Sequence, residues 1–259
     1  MIFSEIRDII RKKDLLRYLV LSELRVLYKN KAFGFLWAVL DPFFLMLVYL
    51  FLIKFVFNRG GEYYPVLLFI SLLSFRWVST SLSTSVKTLA SNAKLIQSIN
   101  FPKSILPLSR VLISFVNFLA GLIVVFPLMY YFGIEFSIQW FWLPVIVLVQ
   151  FIFTSSVSLI IGVAGLYFRD LQNILIFILR MWVYLSPVLY NLEDVPEEYN
   201  TLYQLVNPLA SLFASYKNIL VRATMPSPYL IYIFFISIVL GAIGLAIFRK
   251  KNNDFVKNL

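Results

Sequence analysis

The sequence contains no cysteine and no histidine. The first absence excludes disulfides, thiolate metal sites, iron–sulfur clusters and cysteine nucleophiles, and the second removes the commonest general base and metal ligand. Charge is scarce as well: charged side chains make up 14% of the 259 residues, 13 acids against 23 bases, for a net +10. No Gly-Lys dipeptide occurs anywhere, so the Walker A loop that would cradle a nucleotide phosphate is missing. What fills the chain is apolar: 61% of its residues are hydrophobic and its mean hydropathy is +0.85. A soluble domain holds about 45–50% apolar residues. The excess leaves too little polar surface to face water, so most of the chain is solvated by lipid.

A helix crossing about 30 Å of hydrocarbon needs about 20 residues. Six apolar runs meet or approach this: 33–57, 64–86, 105–132, 140–166, 174–190 and 229–248, the fifth being short. The expected fold is an all-α polytopic membrane protein, a single transmembrane domain over 1–259. It divides into amphipathic interface helices at 1–32, six transmembrane helices within 33–248, and a tail at 249–259. Pro42 and Pro127 are expected to kink their helices, and the Ser/Thr run from Ser79 to Ser85 to need acceptors on neighbouring helices. Segment 191–228 is too long for a turn, yet Pro196, Pro208, Pro226 and Pro228 break it too often for a span. Its amphipathic middle, 209–221, reads as a re-entrant helix between spans five and six at the outer face.

In the N-terminal 32 residues, Ile2, Ile6, Ile9 and Ile10 form one apolar face and Leu16, Val20, Leu24 and Leu27 another, with Asp14 as the expected N-cap between them. No short charged stretch followed by an early apolar core and a small-residue cleavage site is present, so this segment is expected to stay attached and cytoplasmic. An even number of spans puts both termini on one side. That side then holds 17 of the 23 bases, the outer segments only three (Arg59, Lys217, Arg222), and three more (Lys54, Arg76, Arg180) lie within spans. This asymmetry predicts a cytoplasmic-membrane protein with both termini inside, and it accounts for the basic balance without nucleic acid.

Phe33, Trp37, Phe44, Phe51 and Phe55 recur at spacings of 4, 7, 7 and 4, which on an ideal helix puts all five within about 40° of one another. Such a stripe packs against lipid or helices, or it forms the wall of a channel on which the C–H faces of sugars stack. Phe177, Arg180 and Tyr184 share a face of the fifth span, where an arginine needs a polar lumen or a partner. Asp41 is the single acid within a span. It either sits solvated at the inner boundary or, with Arg180, forms the polar centre of a lipid-modifying enzyme. The inner loop 87–107 contains a short amphipathic helix ended by Phe101-Pro102, which lies on headgroups or docks into a partner's groove.

The stretch Arg25-Val26-Leu27-Tyr28-Lys29, followed by Phe33-Gly34-Phe35-Leu36-Trp37 and Asp41-Pro42, resembles the start of the membrane subunit of polysaccharide-exporting ATP-binding cassette transporters, the exporters of O-antigen, capsule and teichoic acid. The resemblance continues in order through Asn92-Ala93-Lys94-Leu95-Ile96, Phe101-Pro102-Lys103, Leu106-Pro107-Leu108-Ser109, Tyr167-Phe168-Arg169-Asp170-Leu171, Ser186-Pro187-Val188 and Asn207-Pro208-Leu209. It implies a homodimer bound to two copies of a separate ATPase that holds the ATP and magnesium, moving an undecaprenyl-linked polysaccharide outward, with no cofactor and no catalysis of its own. It further implies that Asn92, Lys94, Leu95, Ile96 and Phe101 form a helix coupled to the ATPase. Arg17, Arg25, Tyr28 and Lys29 would mark the cytoplasmic interface helix, and the aromatic stripe a sugar-chain path. Permeases for lipids or drugs belong to the same wider class.

Overall fold

The computed structural model describes residues 2–29, 31–168, 170–252 and 255, and every regular element among them is helical. Arg169, the side chain of Ile2 and most of the tail beyond Asn252 lie outside the described residues. Two amphipathic helices, α1 (Ile2–Arg11) and α2 (Lys13–Tyr28), precede a 3-10 turn at Gly34–Leu36 that opens α3 (Trp37–Leu50). Gly34 adopts φ +47°, a left-handed conformation in which a side chain would be strained, and this lets the chain turn from α2 into α3. The end of α3 loosens into a π-helical turn, Phe51–Val56. Next come α4 (Tyr64–Ser85), the short α5 (Thr88–Ser91) and α6 (Ala93–Ser98), and α7 (Ile105–Tyr131). A 3-10 turn at Ile138–Trp142 leads into α8 (Leu143–Tyr167), followed by α9 (Leu171–Leu185), α10 (Glu197–Val206), α11 (Pro208–Leu220) and α12 (Leu230–Lys250).

Among the described residues, five helical stretches are long and apolar enough to cross a membrane: Gly34–Val56, Tyr64–Ser85, Ile105–Tyr131, Ile138–Tyr167 and Leu230–Lys250. These fall within a few residues of five of the six predicted runs. The remaining run is the 15-residue α9, about 22 Å long at 1.5 Å per residue and shorter than the hydrocarbon core. Pro42 and Pro127 lie inside continuous helices. In the first span, the non-α backbone falls at its two ends, Gly34–Leu36 and Phe51–Val56, and not at Pro42.

α4 is the central helix: 72% of its apolar window is buried, against 17% for the span containing α3. Trp77 on α4 is covered by Phe118 and Phe115 of α7, with ring centroids 4.8 and 5.0 Å away. Gln150 of α8 closes a reciprocal pair with Ser74, accepting from its hydroxyl at 2.6 Å and donating to its carbonyl at 2.9 Å. Small residues bring α8 close to its neighbours. A Cβ at Gly165 would overlap the Val86 carbonyl oxygen, and one at Gly241 of α12 would stand 2.7 Å from Ser156 Oγ, itself hydrogen-bonded to the Ser237 carbonyl at 2.7 Å. This is the close backbone approach that small residues permit in lipid.

Three expectations are corrected here. The Ser/Thr run of α4 is satisfied mainly within its own helix: Ser79, Ser81, Ser83 and Thr84 donate to carbonyls three or four residues back, the local bond open to any helical hydroxyl. Asp14 does not cap α2, which starts at Lys13 after Lys12; it sits in the first turn, where its charge still favours the helix dipole. Segment 209–221, read as an amphipathic helix, falls on α11, but its residues 209–217 are buried without interruption rather than on one face only, because α4, α8, α10 and α12 surround it.

Candidate functional site

The aromatic residues of the first span occupy a largely uncovered helix. Phe33, Phe44, Phe51 and Phe55 are exposed, and Trp37 is partly buried with its ring 5.9 Å from Phe33. Their predicted common angle assumed one uniform α-helix. The first turn is instead 3-10 and the last is π, so the two ends of the stripe leave the α-helical register, and Phe51 and Phe55 stack on each other at 5.7 Å. On α9, Phe177, Arg180 and Tyr184 are likewise exposed. α3, α4 and α9 together wall a groove of ≈ 380 Å³ lined by Tyr49, Phe75, Arg76, Thr80 and Arg180. Asp41 binds Arg76 rather than Arg180: Arg76 Nη2 donates to Asp41 Oδ2 at 2.7 Å, both side chains being nearly half exposed. A charge facing lipid costs on the order of 3 kcal/mol, so this face requires water or a partner. The Asp41–Arg76 pairing was missed in the sequence. The available signal was two opposite charges in consecutive spans, seven residues after Gly34 and nine before Ser85.

The loop 87–107 forms α5 and α6. Lys94 is exposed, Asn92 Nδ2 donates to the Thr88 carbonyl at 2.8 Å, and Leu95 is partly buried. Ile96 and Phe101 are 3% exposed and pack with Leu89, Ile105, Leu106, Leu159, Val163 and Phe248. They therefore anchor the loop to the bundle, leaving Lys94, Gln97 and Ile99 on the outward face. Lys103 is buried beside Phe101, its Nζ 5.7 Å from the ring centroid, and burial pushes its amine below the usual range while nearby Glu5 opposes the shift. Glu5 of α1 also accepts from Ser104 Oγ at 2.8 Å, tying the N-terminal helix to the end of this loop.

α2 rests on α7. Glu23 pairs with Arg110 at 2.6 Å, and Tyr28 Oη donates to Asn117 Oδ1 at 2.9 Å. Arg17, Arg25 and Lys29 are exposed.

At the opposite end of α4, the segment 59–64, the turn 189–194 and Val221-Arg222 enclose a cavity of ≈ 1100 Å³. Arg222, which lines it, pairs with Glu193. Two of the motifs from the resemblance, Ser186-Pro187 and Asn207-Pro208, meet nearby: Asn207 caps α11, donates to the Leu185 carbonyl at 2.9 Å and Ser186 Oγ at 3.0 Å, and accepts from Trp182 Nε1 at 3.1 Å. Lys217, 3% exposed, donates to the carbonyls of Pro187 and Tyr190 at 2.7 and 2.6 Å. Burial pushes its amine down from 10.5 to about 7. A neutral amine still has two N–H groups, and both acceptors are met.

A bundle of long apolar helices with an uncovered aromatic face, a cavity at one end and an anchored loop helix at the other is the architecture of a polytopic membrane protein. Residues 14–221 match the ABC-2 type transporter family, and the chain belongs to it. It is 32% identical over 247 residues, 95% of each chain, to the O-antigen export system permease protein RfbA of Klebsiella pneumoniae. It is also 32% identical over 261 residues, 98% of each chain, to the protein of that name from Myxococcus xanthus. Similarity to the polysialic acid transport protein KpsM of Escherichia coli is 26% over 241 residues, 90% of this chain and 92% of that one.

Proposed function

We propose that this chain is the permease subunit of an exporter that moves a lipid-linked polysaccharide of O-antigen type outward across the cytoplasmic membrane, driven by ATP hydrolysis in a separate ATPase. Two copies form the path and two ATPases dock on the inner loops. The observation that carries the reading is the uncovered aromatic face of α3 and α9 in a chain similar over nearly its full length to O-antigen export permeases. Exposed rings in a lumen give sugars a flat apolar surface with few fixed hydrogen bonds, so a long chain can slide. A second copy facing this surface would enclose it.

In this reading α9, extended by 186–190, makes the sixth crossing and leaves both termini cytoplasmic. α1 and α2 lie at the inner interface. α10 and α11 form a re-entrant pair, and the turn at 189–194 that leads into it borders the outer cavity. Force enters through the outward face of α6 and reaches the bundle through the buried Ile96 and Phe101. A capsule-type glycan is the second reading, favoured by the similarity to the polysialic acid transport protein. The test is deletion of the chain from its host with surface glycan measured by antiserum or lectin: loss at the surface with lipid-linked glycan accumulating inside is expected. Unchanged surface glycan would overturn the assignment.

A further inference from the structure

The groove between α3, α4 and α9 holds more positive charge than it neutralises. Arg76 lies nine residues before the end of α4 and Arg180 nine residues after the start of α9. These helices are antiparallel neighbours, so both guanidinium groups stand at one level, about 13 Å from the helix ends beside the inner loop. Arg76 is paired with Asp41, whereas Arg180 forms no ion pair among the described residues. Tyr28, at the end of the interface helix, is within electrostatic reach of Arg76 and Asp41. The charged level therefore adjoins the element expected to lie at the inner membrane surface, with Phe177 and Tyr184 a turn away on Arg180's face. A guanidinium fork in a low-dielectric groove matches a phosphate oxyanion better than any neutral ligand.

We infer that Arg180, assisted by Arg76, binds the phosphate end of the lipid-linked substrate as it enters the groove. The inference rests on the transport reading above, but names a site and a chemistry that reading does not contain. Asp41 competes for Arg76 and so weakens the hold, which suits a ligand that must be released. A bulk phospholipid phosphate remains among the headgroups, whereas Arg180 lies in the body of a helix. The occupant is therefore the substrate's phosphate.

The test uses the full chain in phosphatidylcholine nanodiscs with labelled farnesyl diphosphate as probe. Arg180→Gln is expected to weaken binding about tenfold to a hundredfold, the range for one charge-assisted contact. Arg180→Lys should lose less, and Asp41→Asn should bind severalfold more tightly. Unchanged affinity in Arg180→Gln, equal affinity for inorganic diphosphate, or full displacement by phosphatidylglycerol would each overturn the site. Should Arg180→Gln fail to fold, a loss of affinity in Asp41→Asn would overturn it as well. Failure here with normal export leaves the transport reading standing, whereas unchanged surface glycan after deletion of the chain removes both.

Discussion

Gly162 and Gly165 stand one turn apart on α8 and face the same neighbour, yet alanine should behave differently at the two. A methyl at 162 would lie 3.4 Å from the Ser85 carbonyl oxygen and from Pro107 Cβ, the near edge of van der Waals contact. A methyl at 165 would overlap the Val86 carbonyl oxygen at the C-cap of α4, which is backbone and cannot rotate aside. Both substitutions gain about 1 kcal/mol from the better helix propensity of alanine. Only Gly165→Ala adds the overpacking cost of about 1–3 kcal/mol. The two variants should thus differ by about 2 kcal/mol, roughly 4–8 °C in Tm by the scaling for domains of this size. Melting followed by tryptophan fluorescence in detergent measures the difference. Because Val86 leads directly into α5, Gly165→Ala should also shift the inner loop and reduce copurification of the ATPase. Equal melting temperatures, or a lower one for Gly162→Ala, would refute the packing argument.

On the loop 87–107, Lys94→Glu with Ile99→Asp should abolish ATPase copurification while leaving the melting temperature unchanged, since both side chains are exposed. Ile96→Ala should instead cost about 2–5 kcal/mol of stability, because its side chain is buried. Trp37→Ala with Phe44→Ala should lower surface glycan without changing the amount of protein in the membrane; normal export in that variant would remove the aromatic path. For Lys217, the folded amine titrates near 7 and the unfolded one at 10.5. The unfolded state therefore binds the extra proton between those values, and stability falls as pH drops from 10.5 toward 7. Lys217→Met should flatten that slope, and a melting series from pH 7 to 9 on both proteins would show it.

The positions of the long helices were legible because lipid imposes length and hydropathy on each span locally, without reference to other helices. The buried state of Ile96 and Phe101 was not, since a short amphipathic helix presents the same residues to a partner or to its own bundle. Nor was the fate of the serines in α4: a hydroxyl has the same composition whether it bonds across helices or back to its own turn. Ser186-Pro187 and Asn207-Pro208 were visible as separate motifs, but their meeting through Asn207 depends on how the chain returns after α10.

By itself, then, the sequence determined that this chain lives in lipid, where five spans run, that it carries no nucleotide loop, and which family pattern it follows. Each of these is set by properties read one segment at a time. Only the tertiary structure decided that Asp41 faces Arg76, that Arg180 in the same groove forms no ion pair among the described residues, and that α11 is enclosed by its neighbours. Those facts depend on which helices become neighbours and at what level, and in a medium where every span is equally apolar, hydropathy carries no information about partners.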